Sequence, residues 1–120
     1  MKLEVGQFVR LKSGYICKII NINDFREPNM KYGVEANYLK DVMFIGDEDI
    51  LKASHNIIDI LEEGDYVNGC YIQEIKSLKD NVMVCMLDSD YEFVSTITNK
   101  DIKSVITHEQ MEQMAYKVEE

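Results

Sequence analysis

Residues able to do chemistry are few in this chain, and they are scattered. The two histidines, His55 and His108, are the usual first candidates for a general base. His55 ends an expected strand and His108 falls in the first turn of an expected helix, where a structural role on the surface suffices for each. No Gly-x-Ser-x-Gly, P-loop or His-Glu-x-x-His pattern accompanies them. Cys17, Cys70 and Cys85 are odd in number and widely spaced, which suits neither a disulfide framework nor a zinc cluster. All three lie in alternating apolar segments and read as small buried hydrophobes. Asp88-Ser89-Asp90-Tyr91-Glu92 alternates acids like the start of a calcium loop. It lacks the glycine and the distal bidentate glutamate of such a loop, so it reads as a solvated hairpin connection. Asp47-Glu48-Asp49 needs no ligand either, because acids suit the first turn of a short helix. No metal, no cofactor and no catalytic activity are expected.

The stretch best suited to binding is Asp24-Phe25-Arg26-Glu27-Pro28-Asn29-Met30-Lys31-Tyr32. It is the longest irregular connection expected in the first half and holds one of the two arginines. Arg26 with Lys31 suits a phosphate or carboxylate, held by charge-assisted hydrogen bonds. Phe25 or Tyr32 suits stacking on a base or packing against a partner side chain. The competing reading is an ordinary loop, with Arg26 paired to Asp24 or Glu27 and Phe25 closing a barrel end.

These residues must be positioned by strands. Asn68-Gly69, flanked by 65–67 and 70–72, is a two-residue hairpin signal, because a type I′ turn needs positive φ at both central positions. The stretch Leu3-Glu4-Val5-Gly6-Gln7-Phe8-Val9 matches Leu61-Glu62-Glu63-Gly64-Asp65-Tyr66-Val67 at an offset of 58. Tyr15, Ile16 and Ile19 match Tyr71, Ile72 and Ile75 at 56, and Val42, Ile45, Asp49 and Ile50 match Val94, Ile97, Asp101 and Ile102 at 52. Ordered matches at a drifting offset are the mark of a duplicated unit. The first copy predicts strands at 7–12, 15–22, 31–35 and 41–45, one 3₁₀ turn over 46–50, and a last strand within 51–58. The second predicts strands at 65–67, 70–77, 81–87 and 93–97, a turn at 99–101, and a strand over 102–106. Thr107-His108-Glu109-Gln110 fits a capping box and predicts a helix of about two turns, with Met111 and Met114 on one face that plugs a barrel end or docks. Tyr116-Lys117-Val118 then adds a short edge strand.

Charge divides the chain. Through Ile58, eight bases balance eight acids; from Asp59 on, five lysines face fourteen acids, which gives the whole net charge of −9. Such an acidic half opposes binding to duplex nucleic acid and suits either solubility or a face that meets a basic partner. With 46% hydrophobic residues the chain can bury a core. It has no 18-residue apolar run and no apolar segment near its start, so the expected place is the cytoplasm, away from membranes.

Five short strands with a 3₁₀ turn before the last is the order of an SH3-like barrel. Val5-Gly6-Gln7-Phe8-Val9-Arg10, followed by Gly14-Tyr15-Ile16, resembles the opening of the KOW and SH3-like small barrels. Those barrels carry more glycines and a basic binding surface, so their nucleic-acid role does not transfer to this acidic chain. As a whole the chain is similar to small acidic proteins of phages and prophages of Gram-positive bacteria. That similarity rests on Asp24-Phe25-Arg26-Glu27-Pro28, Phe44-Ile45-Gly46-Asp47-Glu48-Asp49-Ile50, and Asn56-Ile57-Ile58-Asp59 leading into Gly64-Asp65-Tyr66-Val67-Asn68-Gly69.

The expected architecture is all-β, with one SH3-like barrel over 1–57, a second over 58–107, a short linker near 56–60, and a helix and tail over 108–120. Barrels this small imply a shared interface or a homodimer. The resemblance implies a non-enzymatic phage-type protein that antagonises host antiviral defence. It would block a defence protein through the acidic surface at Asp88, Asp90 and Glu92, or sequester a small nucleotide signal with Arg26, Lys31, Tyr32 and Phe25. The alternative is a structural or regulatory interaction module of a phage or prophage.

Overall fold

A computed structural model of the chain describes residues 2–36, 39–77, 82–87, 93–97, 99–114 and 118, with the backbone alone at 76–77, 82–87 and 93–96. The fold is mostly β, and it divides into two compact units, Met1–Ile60 and Leu61–Glu120.

The first unit is an antiparallel sheet of five strands: β1 (Phe8–Leu11), β2 (Ile16–Ile22), β3 (Tyr32–Glu35), β4 (Met43–Ile45) and β5 (Ile50–Ser54). Their spatial order is β4-β3-β2-β1-β5. The alternation along β2 buries Cys17 and Ile19 and leaves Lys18 exposed, which sets one face of the sheet against the core. Val9 and Leu11 of β1, Tyr32 and Val34 of β3, and Ile45 and Ile50 complete that core, with Leu3 beneath. Three 3₁₀ turns connect the strands: η1 (Pro28–Met30), η2 (Asp47–Asp49) and η3 (Ile57–Ile60).

The second unit repeats this plan. Its strands are β6 (Tyr66–Val67), β7 (Cys70–Ser77), β8 (Val82–Leu87), β9 (Phe93–Thr96) and β10 (Val105–Ile106), in the order β10-β6-β7-β8-β9. The first strand of each unit lies between the second and the last. A 3₁₀ turn, η4 (Asn99–Asp101) in this unit, precedes the last strand in both. The second strand of each unit has a bulge, between Ile19 and Asn21 and between Ile72 and Glu74, which curls the sheet. Both sheets have two free edges among the described residues, and neither closes on itself. A single helix, α1 (His108–Met114), follows β10.

The hairpin expected at Asn68-Gly69 is present. Asn68 has φ 53° and Gly69 φ 83°, and Val67 faces Cys70 across the turn. Register corrects part of the repeat alignment. Val9 faces Cys17 in the first unit and Val67 faces Cys70 in the second, so the second strands correspond at an offset of 53 (70 − 17), with Ile19 matching Ile72. The first hairpin carries a longer loop, and matching by residue type at 56 slid past it.

Other expectations change as well. The linker foreseen near 56–60 is folded as η3, with Ile58 and Ile60 buried and the Ile60 carbonyl accepting a bond from the buried Arg10 guanidinium at 3.1 Å. The last strand of the second unit is only Val105–Ile106. The capping box of α1 forms: the Gln110 side chain accepts from the Thr107 amide at 3.0 Å, and Thr107 Oγ1 accepts from the Gln110 amide at 3.2 Å. Yet Met111 and Met114 are exposed and close off no core. The edge strand expected at 116–118 lies mostly outside the described residues, as do both acidic positions at 88 and 90 and Glu92. Cys17 is buried as expected, Cys70 is only partly so, and the Cys85 side chain lies outside the description. No helix among the described residues is long and apolar enough to cross a membrane.

Candidate functional site

The connection between β2 and β3 is built rather than loose. Asn23 donates its amide to the Lys31 carbonyl at 3.0 Å, which closes the loop at its neck. The Asn23 side chain accepts from the Phe25 amide at 2.9 Å, an Asx turn that reverses the chain. Pro28 then opens η1, where its fixed φ and missing N–H suit the first position of a helical turn.

This frame determines where the four candidate residues point. The Arg26 guanidinium donates to Asn21 Oδ1 and, at 3.3 Å, to the Met30 carbonyl. Its carbon also sits 4.6 Å from the centroid of the Phe44 ring, a cation–π contact. Arg26 therefore pairs with neither Asp24 nor Glu27 in these contacts; it is held over β4 by a ring and two oxygens. Phe25 projects fully into solvent and closes nothing. Lys31 bridges to Asp24 at 3.2 Å and lies 5.4 Å from the Tyr32 ring centroid.

Tyr32 is the correction. Its ring is buried in the core, so it has no face free to stack on a ligand. Its hydroxyl donates to Asp47 Oδ1 at 2.5 Å. Burial, reinforced by the hydrogen bond to Asp47, holds the phenol above its ordinary pKa of 10.0. The hydrogen bond to Asp24 raises the Lys31 ammonium above its ordinary 10.5.

Lys2, Leu3, Ile22, Asp24, Lys31 and Tyr32 line an open cleft of about 450 Å³. Its size suits a small molecule. Two lysines and one aspartate are among these residues, and an incoming anion would compete with Asp24 for the Lys31 ammonium 3.2 Å away. Among the described residues the lining holds no histidine, cysteine or serine, and none there resembles a nucleophile with its base. A second cleft, of about 410 Å³, lies over Phe8, Cys17, Ala36 and Ile57 and is more apolar.

The sequence reading missed a pair of matched locks. Glu4 meets His55 Nε2 at 2.9 Å, and Glu62 meets His108 Nε2 at 2.8 Å. In each unit the amide of that glutamate donates to a side chain three residues on, Gln7 in the first and Asp65 in the second, both at 2.8 Å. Gly6 and Gly64, both at φ +96°, sit in the two turns with a histidine ring beside each. Part of the signal was in the repeat: Glu4 and Glu62 are 58 apart, the offset of β1 and β6, whereas His55 and His108 are 53 apart, one more than the 52 (105 − 53) that relates β5 to β10. No protein-family model matches the chain, and neither a curated protein nor a solved structure resembles it closely enough to lend it a family.

Proposed function

We propose that this chain is a non-enzymatic binding protein made of two tandem SH3-like units, and that the first unit captures a small anionic ligand of the nucleotide class. The observation that carries this reading is the cationic rim of the β2–β3 connection. Lys31 and Lys2 border a cleft of small-molecule size, and Arg26, which does not line it, is preset by Asn21, Met30 and Phe44 over the other face of the sheet. A guanidinium already oriented loses little freedom when it takes a phosphate. The exposed Phe25 ring replaces Tyr32 as the stacking surface. The strand order and the 3₁₀ turn before each last strand support the SH3-like assignment. The setting we propose, from the sequence resemblance alone, is a host cytoplasm in which sequestering a nucleotide signal antagonises antiviral defence.

Native mass spectrometry tests this on the full chain captured gently from defence-expressing, phage-challenged cells. The expected result is an added mass of nucleotide size, released on unfolding and lost in Arg26→Ala with Lys31→Ala. A charge-assisted bond to such a ligand is worth about 1.5–3 kcal/mol, so each single change weakens binding by about 10- to 150-fold. An adduct retained in the double variant overturns the cleft reading. The charge division favours a second reading, in which the acidic half covers a basic surface of a defence protein. A stoichiometric protein partner without the adduct, dissociating steeply with salt, would support that instead.

A further inference from the structure

We propose that Glu62, His108 and Glu109 form a site for a divalent transition-metal ion, with zinc as the reference ion. Oε1 of Glu62 lies 2.8 Å from Nε2 of His108, and Oε1 of Glu109 lies 3.2 Å from the same nitrogen. The three donor atoms all fall within 4.8 Å of one another. Two carboxylates thus converge on one ring nitrogen, which offers either one proton or one lone pair. A single N–H cannot point along both bonds. An ion bound at about 2.0–2.2 Å from each donor would hold neighbouring donors roughly 3 Å apart, so little movement is needed to admit it.

The second unit supplies what a mere ion pair would not need. Asp65 is 0% exposed. Its Oδ1 accepts the His108 amide at 2.9 Å and its Oδ2 accepts the Glu62 amide at 2.8 Å. One buried carboxylate therefore positions the backbone of two of the three ligands, as supporting groups do around metal sites. Thr107, also fully buried, holds the start of α1 from which His108 and Glu109 project. Two full negative charges outweigh the roughly half positive charge of a helix N-terminus, so the helix does not exclude a cation there.

The first unit is a built-in comparison. Its lock has Glu4 and His55 with Gln7 in place of Asp65, and Asn56 follows the histidine where Glu109 does in the second. Side chains of that pair are 51% and 64% exposed, against 37%, 24% and 20% for His108, Glu62 and Glu109. Among the described residues only the second unit brings three such donors together. One nitrogen with two carboxylate oxygens suits zinc or its first-row neighbours, whereas magnesium and calcium take oxygen donors.

Zinc chloride is titrated into the full chain after stripping with a chelator, followed by calorimetry, thermal melting and the histidine ring signals in NMR. The expected result is one equivalent bound, a raised melting temperature, and a shift of the His108 ring signals without the His55 ones. Glu109→Gln should weaken zinc at least about tenfold. His55→Ala and Cys70→Ser should leave it unchanged, which separates this site from the first lock and from a thiol. Absence of zinc binding in the unaltered chain overturns the proposal. So does zinc binding that survives Glu109→Gln or shifts His55. If Glu109→Gln fails to fold, the ring signals of the unaltered chain decide alone.

Discussion

Asn68 is the residue whose loss should tell most about how the second unit holds together. Its φ of 53° lies in the left-handed region, and its side chain makes three bonds across the sheet. Nδ2 donates to the Asp101 carbonyl at 2.7 Å, and Oδ1 accepts from the amides of Lys103 at 2.8 Å and Ser104 at 3.0 Å. The turn thereby clamps the segment that leads from η4 into β10. Asn68→Ala removes all three bonds and places an ordinary side chain at positive φ. The bonds are exposed, so each is taken near the low end, about 0.5–1 kcal/mol, or about 2 kcal/mol together. The left-handed conformation adds about 1 kcal/mol for a residue without asparagine's local compensation. The expected cost is about 3 kcal/mol. Asn68→Asp keeps the two acceptor bonds and loses only the donor, so it should cost about 1 kcal/mol. Urea unfolding followed by circular dichroism measures both. Hydrogen exchange at Lys103 and Ser104 should quicken in the alanine variant and hold in the aspartate one. An alanine cost below about 1 kcal/mol, or an aspartate cost equal to it, would refute the clamp.

The remaining predictions concern the first unit. A Cβ on Gly46 would lie 2.5 Å from the Pro28 carbonyl oxygen and 2.8 Å from Asn29 Cα, both backbone atoms, although φ of −116° suits any residue. Gly46→Ala should therefore push η1 outward and cost about 1–3 kcal/mol in urea unfolding; a neutral result would mean that η1 is not seated against η2. Tyr32 should be among the last tyrosines to ionise in an absorbance titration, because burial and Asp47 raise its pKa above 10.0. A raised folded-state value favours the neutral phenol, so this stabilisation is whole below the ordinary pKa and is lost as pH climbs through the folded one. Tyr32→Phe should flatten the alkaline fall in stability measured between about pH 9 and 11; an unchanged slope would assign that fall to other groups.

Much of the frame could be read from residue types. The strands came from alternation and turn chemistry. Asn68-Gly69 is legible because few other pairs tolerate its backbone, and Thr107 with Gln110 because a capping box is local. What escaped was long-range or depended on burial. Tyr32 carries a polar handle and adjoins a polar loop, which suggests exposure; its hydroxyl reaches Asp47, 15 residues on, and that bond lets the ring enter the core. Arg10 lies in an alternating strand where a charge should face outward, yet it is buried with the Ile60 carbonyl, 50 residues away, as a partner. Met111 and Met114 share a face by spacing, but α1 is only seven residues long and presents them to solvent. The histidine–glutamate locks join residues 51 and 46 apart, and the register of β5 and β10 leaves the two histidines one position out of step.

The repeat also separates what the two units share from what each has alone. Groups present in both units serve the shared frame: the strand order, the glycines at φ +96°, the glutamate turn and its histidine. A residue found in one unit alone either serves that unit's own packing, as Asn68 does, or lies outside what the shared frame needs. The β2–β3 connection has nine residues, 23–31, whereas 78–81 gives its counterpart four. The extra length holds Phe25, Arg26 and η1, whose bonds orient a guanidinium rather than close a sheet. In the second unit the excess is Glu109 and a buried Asp65 where the first has Asn56 and Gln7. Burying a carboxylate costs several kcal/mol unless its bonds repay it, and the first unit closes the same turn with a neutral amide. In the second unit the Glu62 and His108 amides offset that cost, and they tie the turn to the start of α1. Two of the differences between the units, at the longer β2–β3 connection and at Asp65 with Glu109, place more charged residues in one unit than in the other.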